Sequence, residues 1–490
     1  MLIAYALERA ALEVSRGLRG ESDGELYSEF LAYWNSTTPG STYSICSADG
    51  ETRVLLQSRL TGTGAIKDAD LVAEDRHDAE AWAKKLGVTA RGFHEAFFIR
   101  LTSPFLPPEF EEQISLESLR SCIQEHASAE NAAAFGAWLK NSELPATVIM
   151  SIPETTAEDG RVLVGIRIEN PSGEIRRRNQ KGFRPGHVPV NRTLALVRSA
   201  PVTRLNLIRV DREFLLHRGG AATELTTKTV ILIGAGAVGS EVALRLAALG
   251  IGHLRIVDPD WLAPENVHRH ALGFSHLWQA KAISLAGALA ANYPHLEFVG
   301  RQAVVEDVLK DDPSFLTTAD LAVFALGEET LERRLNQLLA GVIPRVHTWV
   351  EPLGIGGHAL ACGVDPRGCY ECLFSLDPEF GPVNLASFSA PGQSIRRSLA
   401  GCAGTFSPFS ATDAQRTAIE AANLIVRLLN GDARNTLVSW RGLISEFESQ
   451  GHRLSRRSLM VAPGQQIAVP GTDLARDACP VCGLTAKAEA

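Results

Sequence analysis

Between residues 234 and 281 a glycine-rich run is followed, in a fixed order, by residues that can hold and neutralise phosphate charge. The run is Gly234-Ala-Gly-Ala-Val-Gly239, and the series after it is Asp258-Pro-Asp260, Asn266, Arg269 and Lys281. Gly234 permits a tight turn, Gly236 lets backbone approach a phosphate, and Gly239 lets a helix pack closely on a strand. The helix that follows points its N-terminus at the same place, where an anion is favoured. Asp258 stands where a ribose hydroxyl would be read. A nicotinamide site has no need of the further polar and cationic residues. Cleavage of ATP at its α-phosphate does need them, because charge builds on the pentavalent centre and on the departing pyrophosphate.

Two further sets of residues carry chemistry. Cys369-x-x-Cys372 and Cys479-x-x-Cys482 supply four thiolates, the donor set of a tetrahedral, structural Zn2+ site. Pro480 and Gly483 suit a metal-knuckle turn. The alternative is two unrelated redox or packing pairs. Cys402 lies in Leu399-Ala-Gly-Cys-Ala-Gly404, where glycines on both sides allow close approach of a substrate tail. A helix expected to start near Ser410 would favour its thiolate. The other reading of Cys402 is an inert buried thiol; Cys46, Cys122 and Cys362 sit in segments that read as core. His268 and His270 flank Arg269 and read as structural histidines. His358 is undecided, and Trp349 and Glu351 are candidates for shaping a groove for a carboxyl tail.

The elements that must position these residues follow from periodicity. Thr229–Ile233 reads as a short buried strand, Ser240–Leu249 as a helix and His253–Val257 as a second strand. Strands continue at Leu296–Val299, Leu321–Leu326 and Arg345–Val350. Helices continue at Gln279–Ala291 and Thr330–Leu339. Gly354 to His358 opens a strand toward Cys362. A long irregular segment, Ser375 to Phe409, precedes a helix at Ala411–Leu429, and a segment of that kind inside a compact domain is usually functional. The expected fold class is α/β: a Rossmann-like, mainly parallel sheet over residues 201–485, carrying the zinc site and preceded by an α+β domain over residues 1–200. In that first region helical periodicity appears at Glu25–Trp34, Asp78–Leu86 and Leu116–Leu139. Strand-like runs appear at Arg53–Leu56, Phe97–Leu101, Thr147–Ser151, Val162–Ile168 and Leu194–Val197. Glu174 to Pro189, with the basic run Arg176–Arg178, reads as a loop or linker with a solvated surface. Thr485 to Ala490 reads as a frayed tail.

The bulk properties set bounds. A chain of 490 residues exceeds one typical core, and 45% hydrophobic with 21% charged residues is ordinary for a globular protein. A net charge of −8 argues against a general nucleic-acid binder. No apolar run is long enough to span a bilayer, and Met1 to Glu8 lacks the pattern of a signal peptide, so a cytoplasmic protein without membrane contact is expected. The eight cysteines do not make a disulfide scaffold in a chain this long.

The ordered series from Gly234 to Lys281 resembles the ThiF/MoeB and ubiquitin-activating superfamily, which adenylates the C-terminal glycine of a ubiquitin-fold protein. The resemblance covers roughly residues 205–485. It implies that Asp258 holds the ribose, with Asp260 beside it, and that Asn266, Arg269 and Lys281 contact the phosphates. In the family an aspartate after the strand matching Leu321–Leu326 holds Mg2+. Here that position is Gly327, followed by Glu328 and Glu329, and Glu328 is the expected replacement; failing it, the chain would be a degenerate enzyme acting as a scaffold. An arginine before the glycine strand, often reaching a partner subunit, would be Arg209, Arg212 or Arg218. Relatives that form a thioester place the nucleophile in the crossing segment, which here is Cys402.

The resemblance therefore implies ATP-dependent activation of a ubiquitin-like protein, thioester formation on Cys402 and transfer to an E2-like conjugating enzyme. It leaves room for a homodimer, and the N-terminal region would recruit a partner. The layout further resembles activators of bacterial ubiquitination-like (BilD-type) operons, which implies a role in antiviral defence. An adenylase for sulfur transfer and an NAD-dependent oxidoreductase are the alternatives.

Overall fold

The computed structural model describes residues 2–19, 31, 34, 41–64, 66–105, 114–154, 160–170, 200–218, 220, 223–363, 367–398, 405–432 and 434–483. The chain divides into two compact units, Met1–Arg218 and Gly219–Ala490.

The first unit is built on one sheet. Its strands are β1 (Thr42–Ser44), β2 (Arg53–Thr61), β3 (Asp70–Ala73), β4 (Thr89–Arg100), β5 (Ala146–Pro153), β6 (Arg161–Ile168), β7 (Val202–Leu205) and β8 (Leu207–Arg209), in the order β7-β6-β5-β4-β2-β3-β1-β8. Alternation along β4 divides the core between two faces. Phe97 and Ile99 pack under the helices Leu116–His126 and Ala129–Asn141, where Phe97 stacks on Trp138 at 4.9 Å. Ala96 and Phe98 face the other way, against Leu55 and Ile149.

Two expectations change here. The single helix read over Leu116–Leu139 is two, because Ser128 caps a new start: its Oγ accepts from the Asn131 amide at 3.1 Å. The expected boundary at 200/201 falls inside this unit, since β7 pairs with β6 and β8 with β1. Most of the helix expected over Glu25–Trp34, and the segments Glu174–Pro189 and Leu194–Val197, lie outside the described residues.

The second unit holds β9 (Thr229–Ile233), β10 (His253–Val257), β11 (Glu297–Arg301), β12 (Leu321–Phe324), β13 (Arg345–Val350), β14 (Gly356–Cys362), β15 (Phe374–Asp377), β16 (Gly381–Asn384), β17 (Arg397–Ser398), β18 (Thr405–Phe406), β19 (Thr436–Arg441) and β20 (Gln466–Pro470). The main sheet runs β11-β10-β9-β12-β13-β14-β19-β20. Its first five strands are parallel and its last three antiparallel. Both faces are covered, which is why β9 and β12 are apolar throughout. Val230 and Leu232 pack toward the helices Ala237–Ala248, Lys281–Asn292 and Ala411–Leu429, while Ile231 and Ile233 meet Val305, Val308 and Leu335.

From β9 the chain goes first to β10 and β11 on one side, then crosses to β12 on the other. That reversal makes the carboxyl ends of β9 and β12 the topological switch point, the place where open α/β sheets generally bind ligands.

The segment Ser375–Phe409, expected to be irregular, contains two small hairpins, β15–β16 and β17–β18. Cys402 lies between β17 and β18, outside the described residues. The helix Ala411–Leu429 has the expected bounds: the Ser410 amide donates to Asp413 at 2.9 Å and Ser410 Oγ accepts from the Asp413 amide at 3.3 Å. Among the described residues no helix is long and apolar enough to cross a membrane.

Candidate nucleotide site and cysteine cluster

The glycine turn sits at the end of β9, and each glycine has its own reason. Gly234 has φ of +94°, and a Cβ there would lie 2.7 Å from the Ala325 carbonyl oxygen of the loop after β12. At Gly239 a Cβ would lie 1.9 Å from the Gly234 carbonyl oxygen, so helix and turn touch backbone to backbone. A Cβ at Gly236 would meet nothing within 4 Å. Gly236 is also the N-cap of Ala237–Ala248 and supplies no side-chain cap, which leaves the first helical amides free of side-chain acceptors. Open space above uncapped amides fits a phosphate group.

Asp258 ends β10 and is buried. Its Oδ2 accepts from the Ala235 amide at 2.6 Å and its Oδ1 from the Asp260 amide at 2.8 Å. Burial raises its pKa, against the pull of those two amides and of Lys281. Asp258 therefore builds the turn as well as facing it. Lys281 opens the next long helix; its Nζ is 2.9 Å from Asp260 Oδ2, with Lys281 almost buried and Asp260 exposed.

The stretch between them is fastened to the turn by His270. Its Nε2 donates to the Ala235 carbonyl at 2.7 Å, and its Nδ1 accepts from the Leu272 amide at 3.0 Å. Burial pushes its pKa down to about 4, so the ring is neutral and structural. Asn266 Oδ1 accepts from the Ala263 amide at 3.0 Å, and the Asn266 carbonyl accepts from the amides of Arg269 and His270. Arg269 reaches out from this knot. Its guanidinium lies 5.0 Å from the Phe409 ring centroid and 5.8 Å from that of Phe406, and donates to the Ser407 carbonyl at 3.3 Å. Arg269 thus ties the glycine turn to the end of the crossing segment.

The loop after β12 carries the expected Mg2+ residue, Glu328. Glu328 is exposed and occupies the N-cap position of the helix Glu329–Leu339 without capping it. The buried acid against this loop is Glu332, in the first turn of that helix, which the sequence reading missed. Its Oε1 accepts from the amides of Leu326 and Gly327, both at 3.2 Å, and its Oε2 lies 3.2 Å from His347 Nδ1. The Tyr370 hydroxyl bonds it as well. Burial, aided by Glu329, pushes Glu332 up to about 8 against those hydrogen bonds.

A second buried relay was also missed. Glu351 accepts from the Phe388 amide at 3.0 Å, from Ser387 Oγ at 3.2 Å and from His358 Nε2 at 3.2 Å; His358 Nδ1 then lies 2.9 Å from Ser439 Oγ. Glu351, His358 and Ser439 are all buried, so this is an anchor for residues 387–388 and no exposed nucleophile.

Of the upstream arginines, all in the first unit, Arg209 is buried and paired twice with Asp211, at 2.9 and 3.0 Å. That engagement counts against it as the site arginine. Arg212 is half-buried, and the side chain of Arg218 lies outside the described residues.

The four cysteines of the two pairs come together. Their sulfurs all lie within 4.8 Å of one another, with Cys369 and Cys479 at 3.8 Å and Cys372 and Cys482 at 3.3 Å. Four sulfurs bound at 2.3 Å around a tetrahedral ion sit about 3.8 Å apart, so the set fits such an ion. Both pairs turn as knuckles: the Cys372 amide donates to the Cys369 carbonyl at 2.9 Å and the Gly483 amide to the Cys479 carbonyl at 2.8 Å. All four are buried, which leaves no open position for a substrate.

Residues 211–453 match the model of the ThiF family. The chain is 28% identical over 287 residues to an ATP-dependent ubiquitin transferase-like protein, Cap2, of Pseudomonas aeruginosa, covering 57% of this chain and 48% of that protein. It is 28% identical over 202 residues to the adenylyltransferase and sulfurtransferase MOCS3-1 of Zea mays, covering 37% of this chain and 39% of the relative. Among solved structures it is similar to E. coli MccB, with a TM-score of 0.37 at 15% identity, over 53% of this chain and 68% of that one. The chain spans about half the length of the curated relatives it matches first.

Proposed function

Residues 211–453 form a ThiF family domain, and on that premise we propose that the protein is an adenylyltransferase that uses ATP to activate the C-terminus of a ubiquitin-like protein. One observation carries the reading. Asp258 bonds the Ala235 amide just before the uncapped helix start at Gly236, Lys281 pairs with Asp260 two residues on, and His270, next to Arg269, bonds the Ala235 carbonyl, so the phosphate-binding candidates gather around one turn.

In this reading the triphosphate lies over the Gly236 amides. Arg269 and Lys281 offset the charge that grows as the carrier's terminal carboxylate attacks the α-phosphorus and pyrophosphate leaves. Asp258 and Asp260 face the ribose, and Asn266 holds Arg269 in place. Glu328 and Glu329 are the carboxylates available to Mg2+. The product is an acyl adenylate. The Cys402 thiolate then attacks its carbonyl carbon, the carrier becomes a thioester on the enzyme and AMP departs. Transfer to an E2-like enzyme follows, with the first unit recruiting the partner. The likeness to a protein named ATP-dependent ubiquitin transferase-like supports ATP-driven transfer of a ubiquitin-like carrier. The likeness to an adenylyltransferase and sulfurtransferase supports a second reading, in which the adenylate passes to sulfur and Cys402 is dispensable.

The test of the shared first step is carrier-dependent ATP–pyrophosphate exchange. Arg269→Ala and Lys281→Ala should each lower it at least about 100-fold, the scale of losing one charge-stabilising donor. Exchange at the wild-type rate in both variants would remove the assignment.

A further inference from the structure

The sequence of β13, Arg345-Val-His-Thr-Trp-Val350, alternates in an unusual way for a buried strand. Val346 packs into the main core, while His347 and Trp349 turn toward the cysteine cluster, His347 stacking on Tyr370 at 4.2 Å. Arg345, in phase with them, is fully buried. Its Nε donates to Asn336 Oδ1 at 2.9 Å, and Asn336 Nδ2 lies 3.6 Å from Cys369 Sγ. Neither Nη1 nor Nη2 has a hydrogen-bond partner among the described residues, and no described carboxylate forms an ion pair with the group. A guanidinium remains charged at any pH a protein meets, and an uncompensated buried charge is strongly unfavourable.

The fold must therefore supply an anion. Cys362, opposite Arg345 in the strand ladder, is not that anion, because burial pushes its thiol up to about 11. Glu332 is already committed to two backbone amides. What remains is the cysteine quartet, which Asn336 connects to Arg345. Four thiolates around a divalent ion carry a net double negative charge, and charges attract most strongly in a dry interior.

We propose that Arg345 is the buried counter-charge of a tetrathiolate metal centre formed by Cys369, Cys372, Cys479 and Cys482, with Asn336 passing a hydrogen bond to the Cys369 sulfur. The inference rests on reading the quartet as a metal site. It adds that the fold carries a cation which only the loaded quartet satisfies. Loaded and metal-free protein should then respond to the loss of Arg345 with opposite sign.

The experiment compares wild type, Arg345→Met and Arg345→Lys in the full chain. Zn2+ affinity is measured by competition with a chromophoric chelator, and thermal midpoints are measured with and without zinc. Arg345→Met keeps the length of the side chain and removes its charge. It should bind zinc about 10–100-fold more weakly, the usual scale for losing a group that supports metal ligands. In the metal-free state it should melt no lower than wild type, because the unpaired cation is gone. Arg345→Lys keeps the charge and should hold zinc close to wild-type strength. Unchanged zinc affinity in Arg345→Met would overturn the proposal, and so would equal losses of midpoint in loaded and metal-free forms, which would mean packing alone. If Arg345→Met does not fold, Arg345→Lys decides: zinc binding as weak as in Cys482→Ser overturns the proposal, and retention upholds it. Wild-type protein that takes up no zinc would refute the metal site itself, an outcome distinct from all of these.

Discussion

Replacing Glu332 by Gln should make the protein more stable in mild alkali and leave it nearly unchanged in mild acid. The side chain is 1% exposed, and burial raises its pKa from 4.5 to about 8. A raised carboxyl contributes its stability below the unfolded value and loses it as pH climbs through the folded value, so the affected window is roughly pH 4.5–8. The groups facing it are Glu329, His347, Tyr370 and the amides of Leu326 and Gly327. His347 does not compensate as a cation, because its own burial and Arg345 hold it well below the usual histidine range.

At about 1.4 kcal/mol per pKa unit, the wild-type loss across that window is at most roughly 5 kcal/mol. Gln reproduces the neutral acid: its carbonyl still accepts from Leu326 and Gly327. At pH 9 Glu332→Gln should therefore exceed wild type by roughly 2–5 kcal/mol, which at about 2–3 °C per kcal/mol raises the thermal midpoint by roughly 5–15 °C. At pH 5 the two should coincide. The assay is a series of thermal melts of both proteins from pH 5 to pH 9. A Gln variant that melts lower by the same margin at every pH would refute the reasoning, because it would mean the acid is charged in the fold.

Three other perturbations follow from the geometry. Gly239→Ala places a Cβ 1.9 Å from the Gly234 carbonyl oxygen, so helix and turn must part; a loss of about 1–3 kcal/mol in the melt should accompany weakened ATP binding by calorimetry. Cys402→Ala should retain carrier-dependent pyrophosphate exchange yet give no reductant-cleavable adduct on a non-reducing gel, and an adduct equal to wild type would remove the nucleophile role from Cys402. A chain starting at Asp211, where the ThiF match begins, keeps Arg212 and Arg218 and should still form the adenylate but lose delivery to a conjugating partner; delivery at the full-length rate would end the recruitment idea.

The parts of this molecule that were legible in its sequence are those fixed by local rules. The glycine turn, the run of residues down to Lys281, the helix Ala411–Leu429 with its Ser410 cap and the pairing of the cysteines depend on spacing over a few positions or on residues with one dominant use. The missed residues have partners far away in the chain. Glu332 looks like one more acid in the first turns of a helix, and only the fold of β12 and β13 around it shows that it holds Leu326 and Gly327. Glu351 and His358 were singled out one by one, but their link to each other and to Ser439 forms only in the assembled sheet. Arg345 could have been noticed, since an arginine opening an otherwise buried strand asks for a counter-ion. The strands at 202–209 escaped because short edge strands have too few residues for an alternation to register.

The cysteine quartet also sets an order on how the second unit comes into being. Cys369 and Cys479 stand 110 positions apart, and every strand of the main sheet precedes the second pair in the chain. As a ribosome delivers the polypeptide, the whole sheet emerges before Cys479 and Cys482 do. Until then only half of the quartet is available to a metal, and the ring of chain holding the crossing segment, the helix Ala411–Leu429 and two strands of the main sheet, β19 and β20, is still open. Closing so long a ring is where a cross-link restrains an unfolded chain most, about 4–5 kcal/mol in the loop-entropy account. On the proposal that the quartet binds a metal, its capture would thus follow the emergence of the whole main sheet and close this ring.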